Sequence, residues 1–170
     1  VDHAFIGSCG SGMWDDLVQA ATVLNGRRVA NGVRLFIAPG TEESTKRLSR
    51  EGLMQVFIEA GAIMLPAGCG PCNDAVIGPV HNGEVSISTA TNNPPGRFGA
   101  RDGKLYLGSP ATVAASAVTG KITDPREFLV MAILAVAVLG MGIYPKPFTD
   151  VMDASVAALL QHVAVSKIAA

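Results

Sequence analysis

The sequence predicts an α/β fold: a three-layer α/β/α domain on a mostly parallel sheet, followed by an apolar helix and an amphipathic helix. Three observations carry this. Short apolar runs recur at Ala4-Phe5-Ile6, Val33-Arg34-Leu35-Phe36-Ile37-Ala38 and Ala62-Ile63-Met64-Leu65, too short for helices and nearly unbroken, as in strands covered on both faces. Segments of helical period lie between them, and that alternation favours parallel strands joined through helices. The 19 glycines and 10 prolines imply many tight turns, several of them directly after these runs.

In chain order, residues 1–8 read as a strand ending in a Gly-Ser turn. Trp14, Leu17, Val18, Ala21 and Leu24 recur at helical spacing over 13–24, and Asn25-Gly26 stops that helix. A second strand spans 33–38 and breaks at Pro39-Gly40. Thr41 is suited to cap the next helix, with Glu42 and Glu43 at the positive end of its dipole. Gly52 interrupts it, and a second helical piece over 53–60 stops at Gly61. The third strand, 62–65, delivers the chain into Pro66-Ala67-Gly68-Cys69-Gly70-Pro71-Cys72-Asn73-Asp74. A fourth strand is expected at 85–88 and a fifth at 104–107, with a loop rich in Asn, Pro and Gly over 89–101 between them. Ser109-Pro110, a capping hydroxyl before a first-turn proline, starts a small-residue helix that Gly120 ends.

Composition changes near Asp124-Pro125-Arg126-Glu127, a capped helix start, which divides the chain into domains 1–125 and 126–170. Residues 128–144 carry no charge and fall slightly short of the roughly 20 residues that span a bilayer. The tail thus reads as an apolar helix over 126–144, a break at Pro145-Lys146-Pro147, and an amphipathic helix over 149–167. The chain begins on a strand without an initiator methionine, which suggests a fragment.

Formal net charge is −1, so bulk electrostatics give no footing for nucleic acid. Arg27, Arg28, Arg34, Lys46, Arg47 and Arg50 read as a solvated face. Three cysteines form an odd set, and no secretory signal is seen. Metal-ligating or buried thiols in a reducing cytoplasm are therefore expected over a disulfide framework.

Cys69-x-x-Cys72 places two thiolates close enough for one metal centre. Cys9, in Gly7-Ser8-Cys9-Gly10-Ser11-Gly12, lies in a second glycine-rich turn after an apolar run. In a parallel sheet the working loops leave the carboxyl ends of the strands. Cys9, Pro39-Gly40, Cys69 with Cys72, the 92–97 loop and Ser109 all follow strands, and so should share one edge. We expect the three thiols to meet at one iron–sulfur cluster, where three ligands on a four-iron cube leave one iron open to a substrate oxygen. Against this stand a zinc site, for which three cysteines and scattered histidines (His3, His81, His162) are a poor set, a thioredoxin-like redox pair, and inert buried thiols.

Val1-Asp2-His3-Ala4-Phe5-Ile6-Gly7-Ser8-Cys9, then Pro66-Ala67-Gly68-Cys69-Gly70-Pro71-Cys72, Ser88-Thr89…Gly96-Arg97 and Ser109-Pro110-Ala111-Thr112-Val113-Ala114-Ala115-Ser116-Ala117 occur in an order that resembles the aconitase superfamily. Within it, the large subunit of 3-isopropylmalate dehydratase and its homoaconitase-like relatives are the nearest look. The resemblance covers roughly residues 1–126. It implies a fold like the third aconitase domain, ligation of a [4Fe-4S] cluster by Cys9, Cys69 and Cys72, and reversible dehydration of a hydroxy-polycarboxylate. It implies substrate contacts from Arg97, whose planar fork suits a carboxylate, and from Thr91 and Asn92 in the same loop. Asn92 stands where the family usually carries a second arginine, and a neutral amide cannot replace a guanidinium at a carboxylate. The resemblance also implies partners: two further large-subunit domains and a swivelling domain, often a separate small subunit.

From Arg126-Glu127-Phe128-Leu129-Val130 through Met141-Gly142-Ile143-Tyr144-Pro145-Lys146-Pro147-Phe148-Thr149-Asp150-Val151-Met152 the tail resembles the extreme C-terminus of the M subunit of proton-pumping NADH–quinone oxidoreductase. There a last membrane helix precedes a short amphipathic segment. This implies a membrane contact through residues 128–144 as the alternative to a cytoplasmic chain, and a chimeric, non-catalytic chain as the alternative to a hydro-lyase fragment.

Overall fold

A computed structural model of the chain describes residues 1–73, 77–124, 127–143, 146, 150, 152, 153 and 155–160. They fall into two compact units, Val1–Pro125 and Arg126–Ala170. The first unit runs β1 (His3–Gly7), α1 (Trp14–Leu24), β2 (Arg34–Ala38), α2 (Glu42–Arg50), α3 (Leu53–Ala60), β3 (Ile63–Met64), a 3-10 turn (Gly70–Cys72), β4 (Val85–Ser88), β5 (Lys104–Leu107) and α4 (Pro110–Thr119). The strands form one sheet in the order β3-β2-β1-β4-β5, every neighbouring pair parallel.

Helix ends follow the expected chemistry. Ser44 N–H donates to Thr41 Oγ1 at 3.1 Å, and Thr112 N–H donates to Ser109 Oγ at 3.2 Å. Gly52, in the left-handed region at φ 77°, separates α2 from α3. At the start of α1, Met13 has no hydroxyl to offer. Asp16 closes the turn instead, its carboxylate accepting from Met13 N–H at 3.3 Å.

Alternation along the central strands divides the core. Ala4, Ile6, Leu35, Ile37 and Ile87 meet Leu17, Ala20, Ala21 and Leu24 of α1, Leu48 of α2, Phe57 and Ala60 of α3, and Val113, Ala114 and Ala117 of α4 in one buried cluster. The alanines let α1 and α4 approach the sheet closely. On the other face Phe5, Phe36 and Ala38 pack with Cys72, Val80, Ala90 and Phe98. The expected α/β class and parallel sheet are present. Among the described residues, the layer over this second face consists of irregular chain and a 3-10 turn, with no α-helix of the first unit taking part in it. That chain is tied down by Val80, whose N–H donates to Phe98 O and whose carbonyl accepts from Ala100 N–H.

This face also buries His3. Its Nε2 lies 3.0 Å from Gly78 O and its Nδ1 lies 2.8 Å from Ser86 Oγ. A carbonyl only accepts, so Nε2 carries the proton and Nδ1 accepts from the Ser86 hydroxyl. Burial, acting first, pulls the His3 pKa down from 6.5 to about 4. The Arg34 guanidinium, which opens β2 from within the sheet, is held by Glu84 at 2.6 Å and Pro79 O at 3.1 Å.

The second unit contains α5 (Glu127–Ile143). Its Val130, Ile133, Val136 and Leu139 are exposed. Among the described residues no helix is long and apolar enough to cross a membrane. The expectation that 128–144 enters a bilayer therefore gains no support from α5, whose 17 residues rise about 26 Å against a hydrocarbon core of about 30 Å. Beyond it, 150, 152, 153 and 155–160 are helical. The expected helix start at Pro125-Arg126, the Pro145 and Pro147 break and the ends of the 149–167 helix lie outside the described residues.

Candidate metal centre

All five strands point the same way, so the loops leaving their carboxyl ends share one rim. The Cys9 turn leaves β1, Pro39-Gly40 leaves β2, the Cys-x-x-Cys segment leaves β3, the loop with Thr91, Asn92 and Arg97 leaves β4, and Ser109 follows β5.

β3 is an edge strand, two positions from β1, yet the segment it releases comes back across the sheet. Gly68 N–H donates to Pro39 O at 2.9 Å. A Cβ built on Gly70 would lie 3.1 Å from both the Ala38 Cβ and the Phe5 ring. Only glycine lets the 3-10 turn sit so close over β1 and β2, and Gly70 adopts a left-handed φ of 54° there. Pro71 occupies the first turn and Cys72 faces the aromatic cluster, 7% exposed. Cys69 stays exposed at the other end of the turn.

The Cys9 turn is packed just as closely. A Cβ on Gly7 would fall 2.1 Å from Ala38 O, and one on Gly12 would fall 2.6 Å from the same oxygen. Between them Ser8, 1% exposed, holds a left-handed φ of 76°, and its hydroxyl finds no hydrogen-bond partner among the described residues. Cys9 itself is exposed. A Cβ on Gly10 would touch Thr91 Cγ2 at 2.9 Å, so this turn abuts the loop from β4. In that loop Thr91 and Asn92 are exposed and Arg97 is half-buried. Asn93 anchors one side by donating to Leu105 O at 2.7 Å. Phe98, fully buried edge-on to Phe5 at 6.5 Å, anchors the other.

The donor set suits an iron–sulfur cluster: three thiols, none in a disulfide, on one rim. The thiols are not gathered. Among the described residues no three His, Cys, Asp or Glu side chains are placed to hold a metal ion. Cys72 is turned into the apolar cluster while Cys9 and Cys69 remain outside it.

Sequence reasoning missed the buried polar residues His3, Ser8 and Thr89. For His3 a signal was present: alternation puts it on the face of Phe5. Its partners, Gly78 and Ser86, lie far along the chain.

A profile of the aconitase family (aconitate hydratase) matches residues 1–120. The chain belongs to the aconitase family. It is similar to 3-isopropylmalate dehydratase large subunit 1 of Archaeoglobus fulgidus, 46% identical over 127 residues, covering 75% of this chain and 30% of the relative. It is equally similar to large subunit 1 from Methanopyrus kandleri, 46% over 129 residues, covering 76% and 31%. The large subunit from Mycolicibacterium smegmatis is 46% identical over 127 residues, covering 75% and 30%. The chain therefore spans about three-tenths of the length of these relatives. The profile ends before α5.

Proposed function

We propose that residues 1–125 are the cluster-bearing part of a hydro-lyase that reversibly dehydrates and rehydrates a hydroxy-polycarboxylate of the 3-isopropylmalate or homocitrate kind. The observation that carries this is the set of three free thiols on a single sheet rim in an aconitase-family chain. Cys9, Cys69 and Cys72 would hold a [4Fe-4S] cluster. When bound, such a cluster supplies a Lewis-acidic iron that lacks a protein ligand.

The chain's own residues do the rest of the work at this rim. Arg97, fixed between Gly96 and the buried Phe98, offers a planar pair of donors to a substrate carboxylate. Asn92 and Thr91, exposed on the same loop, offer neutral hydrogen bonds, so this side of the site favours a substrate group without full negative charge. The apolar cluster beneath Cys72 keeps water from the inner side of the site. Turnover then requires the further large-subunit domains and a small subunit, in the cytoplasm.

The test is anaerobic reconstitution of the reduced chain with iron and sulfide. A broad visible absorbance is expected in the wild type and its loss in Cys69→Ser. An unchanged spectrum in that variant sinks the assignment.

One observation keeps a second reading for the tail: the large apolar side chains of α5 from Val130 to Ile143 are exposed. The likeness of 126–170 to the end of the NADH–quinone oxidoreductase M subunit would make this an anchor on a chimeric chain. Alkaline carbonate extraction of membranes decides. Recovery of the chain wholly in the supernatant removes this reading.

A further inference from the structure

We propose that Thr89 is a positioning residue for Cys9, its hydroxyl replacing a rung of the sheet that the backbone cannot supply. The proposal bears on the metal role given to Cys9 above, and on that role it rests.

The ladder between β1 and β2 continues to Gly7 opposite Ala38, whereas the ladder between β1 and β4 stops at Phe5 opposite Ser88. The last backbone bond on the β4 side runs from Thr89 N–H to Phe5 O. Beyond it Gly7 has lost its strand neighbour on that side while remaining buried. The Thr89 side chain fills the gap. Gly7 N–H donates to Thr89 Oγ1 at 2.9 Å, and the Thr89 hydroxyl donates to Gly7 O at 3.3 Å. One hydroxyl therefore serves both polar groups of Gly7, and at 5% exposure water does not compete for them.

Gly7 is where the chain has least room and Ser8 is where it is strained. The Ala38 carbonyl forbids a side chain at Gly7. Ser8 holds a left-handed φ without the side-chain hydrogen bond that often accompanies one. A conformation of this kind persists only when surrounding contacts over-determine it. Those contacts are Thr89 on Gly7, Thr91 against Gly10, and Gly40 N–H donating to Gly12 O at 2.8 Å. Thr89 acts on the residue just before the strained one and so sets the direction in which Cys9 leaves the sheet. Its β-branch restricts χ1 and keeps the hydroxyl on Gly7. The loop that carries Thr91, Asn92 and Arg97 begins at this same threonine, so the Cys9 ligand and the substrate loop share one fastening.

The experiment uses the whole chain, reduced and metal-free, as wild type, Thr89→Val and Thr89→Ser. Site-resolved amide hydrogen exchange should show Gly7 N–H exchanging about tenfold faster in Thr89→Val, with Ala4 to Ile6 unchanged and Thr89→Ser close to wild type. In the reconstituted chain, a chelator should strip iron several-fold faster from Thr89→Val than from wild type or Thr89→Ser. Equal Gly7 exchange in all three proteins overturns the proposal, as does acceleration spread evenly over β1. Should Thr89→Val not fold, the wild type alone decides: Gly7 N–H must be protected well beyond Gly10 N–H, and equal exchange refutes the clamp. If wild type takes up no iron while the exchange pattern holds, the metal reading fails and the fastening stands.

Discussion

Lowering the pH from 7 to 5 should weaken the fold through His3. The buried ring donates from Nε2 to Gly78 O and accepts at Nδ1 from Ser86. Burial holds its pKa down at about 4 against 6.5 in the unfolded chain; the Gly78 bond, and then Glu84, pull the other way, while Arg34 and His81 add to the lowering. Between those two values the unfolded chain binds the extra proton and the folded one does not. Stability is therefore fully present above about pH 6.5 and falls as pH drops towards 4. At about 1.4 kcal/mol per pH unit the gap caps the loss at roughly 3 kcal/mol, of which roughly 2 kcal/mol is felt by pH 5. Protonation at Nδ1 would also force the Ser86 hydroxyl to reverse. Urea unfolding of the reduced, metal-free chain at pH 7 and pH 5 measures the loss. His3→Gln, which keeps a donor for Gly78 O but does not titrate, isolates the ring's share. If wild type and His3→Gln lose stability equally between the two pH values, the burial argument is refuted.

Two further substitutions probe the rim. Ser8→Gly should stabilise the chain by about 1 kcal/mol, because it relieves a left-handed φ and removes an unpaired buried hydroxyl at a smaller cost in unfolded-chain entropy. A lower melting temperature in a thermal scan would contradict this. Phe98→Ala should cost about 3–5 kcal/mol in urea unfolding, since the ring is fully buried against Phe5 and anchors the loop behind Arg97. A loss below about 1 kcal/mol would mean that the second face has no packed core.

Much of the fold was legible because its signals are local. The runs at 4–6 and 33–38, the caps at Thr41 and Ser109 and the stops at Gly52 and Gly120 each act within a few residues. The shared rim followed from topology alone, since alternating helices make the strands parallel. The cover over Phe5 and Phe36 was not legible. Leu65, Val80 and Phe98 sit in chain without a period, and only the meeting of Val80 with Phe98 turns it into a layer. His3 and Thr89 stayed hidden for the same reason, as each finds partners more than 70 residues away. The left-handed Ser8 had no glycine to announce it. The thiols were visible as residues, but the inward turn of Cys72 depends on Gly70 nesting between Ala38 and Phe5, a contact between distant parts of the chain.

The most direct measurement is the iron and sulfide content of Cys9→Ser beside wild type, both reconstituted anaerobically. If all three sulfurs serve one centre, wild type should hold about four irons and four sulfides per chain, and Cys9→Ser should lose the cluster or retain a smaller, less stable one. A Cys9→Ser chain with the wild-type iron count and spectrum would show that the first turn takes no part in binding metal.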